Sequence, residues 1–166
     1  MIKHVVYLSL GSNIDREHNI KSCIKTLQYN FGDILCSPVY ESEPVGFTGA
    51  CFYNLVVRIT TTLSLIELTR LLKIIEDQSG RVRGGERFSS RTLDIDILTY
   101  DDLCGVFEGI ELPRPEIYFN AFVLLPMVDI AGDKIDPKST RTYASLWSDN
   151  KKTILEHQKL WQVNFA

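Results

Sequence analysis

The order in which the hydrophobic periodicity changes along the chain most strongly constrains its fold. Alternating or β-branched apolar residues predict four strands, at 4–10, 33–42, 52–62 and 92–100. Apolar residues recurring every three or four positions predict amphipathic helices at 15–30 and from Leu68 to Ile75. The order strand, helix, strand, strand, helix, strand is the split βαβ plan. We therefore expect an α+β fold with a ferredoxin-like core, in which two helices cover one face of an antiparallel sheet.

Local signals predict where several elements begin and end. Gly11-Ser12-Asn13 is typical of a turn. Ser64 and Glu67 form a capping box that opens the second helix, and Gly80 suits its end. Beyond the core, we expect a short helix at 122–128, a peripheral helix at 142–161 and, since no linker interrupts the chain, a single domain over 1–166.

The predicted strand that begins near Thr92 carries an unusual pair of charges. Its apolar residues point one way, and Asp94 and Asp96 point the other way, roughly 6–7 Å apart at two strand rises. A half-solvated sheet could show the same alternation, but aspartate is poorly suited to strands. Two carboxylates on one strand can hold Mg²⁺, which binds one or two carboxylates together with phosphate oxygens.

Residues 80–91 place arginines directly before this strand, in a glycine-bearing stretch that predicts a loop. They are Arg81, Arg83, Arg87 and Arg91. Guanidinium groups bind phosphate oxygens in bidentate fashion. Metal-binding carboxylates next to phosphate-binding arginines indicate phosphoryl transfer, in which catalysis is mostly positioning and charge neutralisation.

The overall composition argues against other classes of function. The 166 residues carry a net charge of −3, so no general basic field favours nucleic acid. Four widely spaced cysteines show no zinc-site spacing. No segment is long enough to span a membrane, and residues 1–7 lack the plan of a signal peptide. We expect a cytoplasmic monomer whose partners are small molecules.

Taken in order, several short motifs resemble one enzyme family, 6-hydroxymethyl-7,8-dihydropterin pyrophosphokinase of folate synthesis. The resemblance covers about residues 4–132. It rests on the segments at 8–13, 43–46, 52–54, 80–83, 86–88, 91–98 and 121–124, among which R-x-R followed by R-T-L-D-x-D is the most specific. The family has a ferredoxin-like core, in agreement with the periodicity.

The resemblance implies that MgATP donates its β,γ-pyrophosphate to the pterin hydroxymethyl group and releases AMP. Asp94 and Asp96 would bind two Mg²⁺ ions. Arg81 and Arg91 would neutralise charge on the transferring group. The remaining ATP contacts would come from Glu76, Arg83, Arg87, Arg91 and Ile97. The pterin would stack between Phe52 and Phe122, contact Asn54 and the backbone around Ser42 and Val45, and lie under Phe88.

The chain departs from the family pattern on the adenine and pterin sides. Phe88 stands where tryptophan is common, and Ser89-Ser90 replaces a Gly-Pro pair. Arg114 replaces a histidine after Pro113, and Asn120 replaces an arginine. These differences leave two alternatives open: an enzyme with another heteroaromatic alcohol as acceptor, and a non-enzymatic ferredoxin-like ligand-binding module. The sequence also leaves open whether residues 133–166 touch the site.

Overall fold

The computed structural model describes residues 1–44, 49–80 and 92–164. Six predicted site residues lie outside these ranges: Val45, Arg81, Arg83, Arg87, Phe88 and Arg91. Ser89 and Ser90 lie outside them as well.

The sheet and the helices follow the predicted order. The strands are β1 His4–Ser12, β2 Leu35–Cys36, β3 Val39–Ser42, β4 Phe52–Thr61, β5 Asp94–Tyr100, β6 Gly105–Phe107, β7 Ile110–Leu112 and β8 Leu160–Val163. The helices are α1 Arg16–Phe31, α2 Leu65–Gln78, α3 Ala121–Ala131 and α4 Tyr143–Leu155, with a 3-10 helix at Pro115–Tyr118.

The main sheet has the strand order β5-β1-β4-β3-β8, and the short β2 also pairs with β4. All of these pairs are antiparallel. β6 and β7 form a separate hairpin. The expected α+β fold with an antiparallel sheet is therefore confirmed. The capping box is confirmed too, since Ser64 accepts from the Glu67 amide and the Glu67 carboxylate accepts from the Ser64 amide.

The sheet has an apolar core on each face. On one face, Leu8 and Leu10 of β1 pack with Ile20 and Leu27 of α1 and with Leu68 of α2. On the other face, α3 and α4 cover residues such as Val56 of β4 and Leu98 of β5. The expectation of helices on one face was therefore incomplete, because the C-terminal helices cover part of the second face.

The predicted strand at 33–42 is interrupted, because Pro38 has no backbone N–H for the ladder. Ser37 links the interrupted segment to β4 through both its amide and its hydroxyl. Its amide donates to the Val56 carbonyl and its hydroxyl accepts from the Val56 amide, each at 2.9 Å. The result is two short strands, β2 and β3, in place of one.

Two other predictions were wrong. Gly11 and Ser12 belong to β1 rather than to a turn, because they pair with Asn54 and Tyr53 of β4. The tail is not wholly helical, because α4 ends at Leu155 and the chain then returns as β8 along β3. The β6–β7 hairpin was not predicted.

Candidate active site

The predicted site residues meet where the helical cover of the second face ends. Partners in an antiparallel register share a face. Gly11 of β1 pairs with Asp94 on one side and with Asn54 on the other. Asn54 in turn pairs with Tyr40, and Phe52 pairs with Ser42. The strands β3, β4 and β5 thus place polar residues on one patch, on either side of Gly11 of β1.

Asp94 and Asp96 lie at one end of this patch, which we call the metal side because two carboxylates are candidate metal ligands. Both are half-buried, and their carboxyl groups are close enough to share a hydrogen bond. Burial, followed by the charge of Asp94, raises the pKa of Asp96 to about 7, while the Arg114 guanidinium opposes the shift. Two carboxylates held this close disfavour their joint ionisation, and a divalent cation would relieve that cost.

Arg114 was named from the sequence only as a departure from the family, but it lies beside the metal side. Its Nη2 is 3.5 Å from Oδ1 of Asp96, and its Nε contacts the Glu116 carboxylate. Its backbone amide donates to the Leu98 carbonyl at 2.8 Å, which fixes this segment to β5. A permanent positive charge therefore lies between the carboxylates of Asp96 and Glu116.

Glu76 and Ile97 lie on the other side of β5. Glu76 is buried at the end of α2, and its carboxylate accepts from the Ile95 amide at 2.8 Å. The Ile97 side chain packs in the core with α1 and α2. β5 is the outer strand of the sheet, and backbone groups alternate in direction along an antiparallel strand. The Ile95 amide points to the outer edge, where it donates to Glu76. The amide and carbonyl of Ile97, two residues further along the strand, therefore point to the same edge.

Asn54 and Ser42 lie at the other end of the patch, which we call the acceptor side because the sequence predicts that these residues contact the acceptor. Asn54 Nδ2 donates to Ser42 Oγ at 3.0 Å, and both side chains are buried. Gly11 makes this arrangement possible, since a Cβ at that position would lie 2.9 Å from Asn54 Oδ1. The glycine therefore keeps the space beside the Asn54 side chain free of another side chain.

A cavity of about 190 Å³ adjoins the acceptor side. Ser42 and Pro44 line it from β3 and the chain beyond, Phe122 lines it from the start of α3, and residues 157–160 line it from the tail. Pockets for drug-sized ligands span about 300–1,000 Å³, so this space suits a smaller molecule. Phe52 lies on the neighbouring strand, opposite Ser42.

A larger cavity, of about 400 Å³, lies elsewhere, between α1 and α2. Its described lining includes His18, Cys23, Ile75 and Leu93 but no predicted site residue. Cavity size alone would therefore favour a site between α1 and α2, whereas the clustering of titratable groups favours the paired aspartates as the candidate site.

The described residues include no cluster of three or more histidine, cysteine or acidic side chains suited to a metal. The donor set at β5 is instead two carboxylates. That set fits Mg²⁺, which keeps several waters and takes phosphate oxygens from its substrate. It does not fit a structural zinc site, which closes its coordination with four protein ligands.

Sequence reasoning missed three contributors to this patch. Gly11 was assigned to a turn, although a glycine inside a strand often marks close approach of another group. Arg114 carried no signal for its contact with Asp96 across 18 positions. No sequence pattern predicted that residues 157–160 line the cavity, because their position depends on the path of the tail.

Comparison with known proteins agrees with this geometry. The model of one family, 7,8-dihydro-6-hydroxymethylpterin-pyrophosphokinase (HPPK), matches residues 7–132. This chain belongs to the HPPK family. The expected family and the expected class of enzyme, an ATP-dependent pyrophosphokinase of folate biosynthesis, are thereby confirmed.

Single-function relatives match over most of their length. The chain is 35% identical over 133 residues to the 2-amino-4-hydroxy-6-hydroxymethyldihydropteridine pyrophosphokinase of Bacillus subtilis, covering 78% of this chain and 79% of the relative. It is 35% identical over 138 residues to the enzyme of the same name from Haemophilus influenzae, covering 80% and 85%.

Other relatives are longer proteins. The chain is 36% identical over 130 residues to a folate synthesis bifunctional protein of Arabidopsis thaliana, but spans only 27% of it. The solved wild-type HPPK-DHPS of Plasmodium falciparum superposes with a TM-score of 0.70 at 14% identity, covering 95% of this chain and 44% of that one. At that identity the likeness concerns the fold, and the HPPK fold agrees with the ferredoxin-like core that was expected.

Within the described ranges, no helix has both the length and the apolar character needed to cross a bilayer.

Proposed function

We propose that this chain transfers the β,γ-pyrophosphate of MgATP to the hydroxymethyl group of 6-hydroxymethyl-7,8-dihydropterin, with release of AMP. The observation that carries the proposal is the meeting of Asp94 and Asp96 with Asn54 on one patch of the sheet, across Gly11. One half of that patch suits a metal-bound polyphosphate and the other suits a flat, hydrogen-bonding ring.

On the metal side, Asp94 and Asp96 would hold Mg²⁺, and we propose two ions. The bound cations would supply neutralisation of the anionic oxygens around the attacked phosphorus. Arg114 adds a fixed positive charge next to Asp96. From the sequence, we further assign Arg81 and Arg91 to the transferring group and Arg83 and Arg87 to the ATP phosphates.

At the outer edge of β5, the Ile97 backbone would pair with the adenine base. The inference that its amide and carbonyl point outward supports this role, since together they offer one donor and one acceptor. Glu76 would hold this edge strand in place, because its carboxylate accepts a hydrogen bond from the Ile95 amide. The family resemblance put Glu76 and Ile97 at the nucleotide, and this geometry is compatible with a backbone contact.

On the acceptor side, Phe52 and Phe122 would stack on the pterin, and Asn54 would read its edge, as planar heteroaromatics require. The backbone at Ser42 and Val45 would add hydrogen bonds, and Phe88 would cover the ring. The buried Asn54–Ser42 hydrogen bond supports this assignment, because it holds the amide in one orientation. The cavity beside Phe122 supports it by its size.

The test is an AMP-release assay with purified protein, MgATP and the pterin, together with a control lacking pterin. We expect AMP that depends on both pterin and Mg²⁺. Absence of AMP with MgATP binding intact would favour another heteroaromatic alcohol as acceptor. Absence of Mg²⁺-dependent nucleotide binding would favour a non-enzymatic module.

We also propose that residues 1–166 act as one pyrophosphokinase domain, as a monomer in the cytoplasm, where ATP is available. The match of residues 7–132 to a single family supports the first point. Light scattering of the purified chain tests whether it is a monomer, with a mass near 18.9 kDa expected.

A further inference from the structure

The tail that follows α4 turns back onto the acceptor side. Residues 157–160 line the 190 Å³ cavity opposite Ser42 and Phe122. They then continue into β8, in which Leu160 pairs with Ser42 and Trp161 pairs with Glu41. Trp161 Nε1 also donates to the Glu41 carboxylate at 2.8 Å. We call residues 157–160 the C-terminal wall. It lies beyond the part of the chain that matches the family model, which ends at residue 132.

Gln158 connects this wall to the start of α3. Its Oε1 accepts from the Ala121 amide at 2.7 Å, and its Nε2 donates to the Phe119 carbonyl at 2.8 Å. The first amides of a helix have no partner within the helix. Asn120, the N-cap residue of α3, makes no side-chain capping bond. The amide of Gln158 therefore caps α3 from 37 residues further along the chain.

The position of this cap matters because the next residue is Phe122. The body of α3 is held by buried apolar residues, including Val123, Leu124 and Met127. Its first turn projects toward the cavity, and Phe122 is only half-buried there. The two Gln158 hydrogen bonds thus fix the backbone on both sides of Asn120, directly before the aromatic side chain.

We propose that Gln158 is a positioning residue of the acceptor side, which sets Phe122 against the bound heteroaromatic ring through the C-terminal wall. This inference rests on the proposed function, because it assigns that ring to the cavity. A tail that only completes the sheet would support overall stability but would leave acceptor binding unchanged.

The test compares three variants in the AMP-release assay. Gln158→Met keeps the length of the side chain but removes both hydrogen bonds, and Gln158→Glu keeps an acceptor for the Ala121 amide. Gln162→Ala, an exposed residue on β8, is the matched control. We expect the KM for the pterin to rise roughly tenfold in Gln158→Met and less in Gln158→Glu, with the KM for ATP unchanged.

Hydrogen exchange gives a readout that is independent of activity. Amides at the start of α3 should exchange faster in Gln158→Met than in the wild type, and at the wild-type rate in Gln162→Ala. A lower melting temperature with unchanged KM for the pterin, or unchanged exchange at α3, would overturn the inference. A wild type that makes no pterin-dependent AMP would instead overturn the proposed function, and with it the assignment of the ring.

Discussion

The metal side and the acceptor side of the patch are built in different ways. Asp94 and Asp96 stand two residues apart on one strand, so their meeting requires only that β5 forms. Asn54, Ser42, Phe122 and Gln158 come from β4, β3, α3 and the tail, so their meeting requires the whole fold. In the proposed function, the metal-binding carboxylates are therefore specified locally, while the choice of acceptor depends on long-range packing.

The largest expected effect breaks the metal side. Asp94→Asn or Asp96→Asn should lower kcat by roughly 10²-fold or more, because each removes a charge that holds the cation. Asp102→Asn, at an exposed aspartate in the turn after β5, is the matched control and should retain wild-type turnover. Near-full turnover in either site variant would refute the metal assignment.

A change on the acceptor side should act mainly on the KM for the pterin. Phe122→Leu keeps an apolar side chain but loses the aromatic face, so we expect that KM to rise about tenfold with kcat nearly unchanged. The control is Phe119→Ala, because Phe119 is 52% exposed and contributes its carbonyl rather than its ring. A larger effect on the KM for ATP would contradict the division into two sides.

Gly11 lies between the metal side and the acceptor side. A substitution there tests whether the lack of a side chain at this position is needed for acceptor binding. In Gly11→Ala, the new Cβ would press on Asn54 Oδ1, so we expect a rise of roughly threefold to tenfold in the KM for the pterin. In an Asn54→Ser background the overlap is gone, and the same substitution should cost little. Additive effects in this double-mutant cycle would show that the contact is not the cause.

The smallest expected effect is on the stability of Asp96→Asn. This substitution should lower kcat but raise the free energy of unfolding. Because burial raises the pKa of Asp96 to about 7, the folded state disfavours its ionised form. Its contribution to stability is therefore greatest when it is protonated, and declines as pH rises to that pKa. Without Mg²⁺ at pH 8, Asp96→Asn should stabilise the protein by about 1 kcal/mol, or roughly 2–4 °C in Tm.

That gain should vanish near pH 4, where the wild-type carboxyl is protonated in the folded state. Thermal unfolding at both pH values measures it. A lower Tm for Asp96→Asn at pH 8 would mean that the Arg114 ion pair outweighs the desolvation of the carboxylate.

Much of the fold was predictable because its signals are local. The capping box at Ser64 and Glu67 and the apolar stripe of α2 are both contained within one helix, and both were confirmed. The extent of β1 was not predicted, since Gly11 and Ser12 look like a turn until β4 pairs with them. The strand β8 was missed for a similar reason, because only contact with β3 gives it a partner.

The same division holds for the candidate site. The proximity of Asp94 and Asp96 follows from alternation alone, but their metal-binding role stays a prediction. The stacking role of Phe52 and Phe122 came from family resemblance and stays a prediction as well. Arg114 contacts Asp96 across 18 positions, and Gln158 contacts Ala121 across 37 positions. No spacing in the sequence announces such contacts, because they depend on where the chain returns to the sheet.

The most direct test of the central claim, that the two sides serve one transfer, is the identity and ratio of the products. Wild-type protein with MgATP and 6-hydroxymethyl-7,8-dihydropterin would be analysed by mass spectrometry and nucleotide chromatography. We predict AMP and a pterin carrying two added phosphates in a one-to-one ratio. ADP with a singly phosphorylated pterin, or AMP with unmodified pterin, would contradict the account.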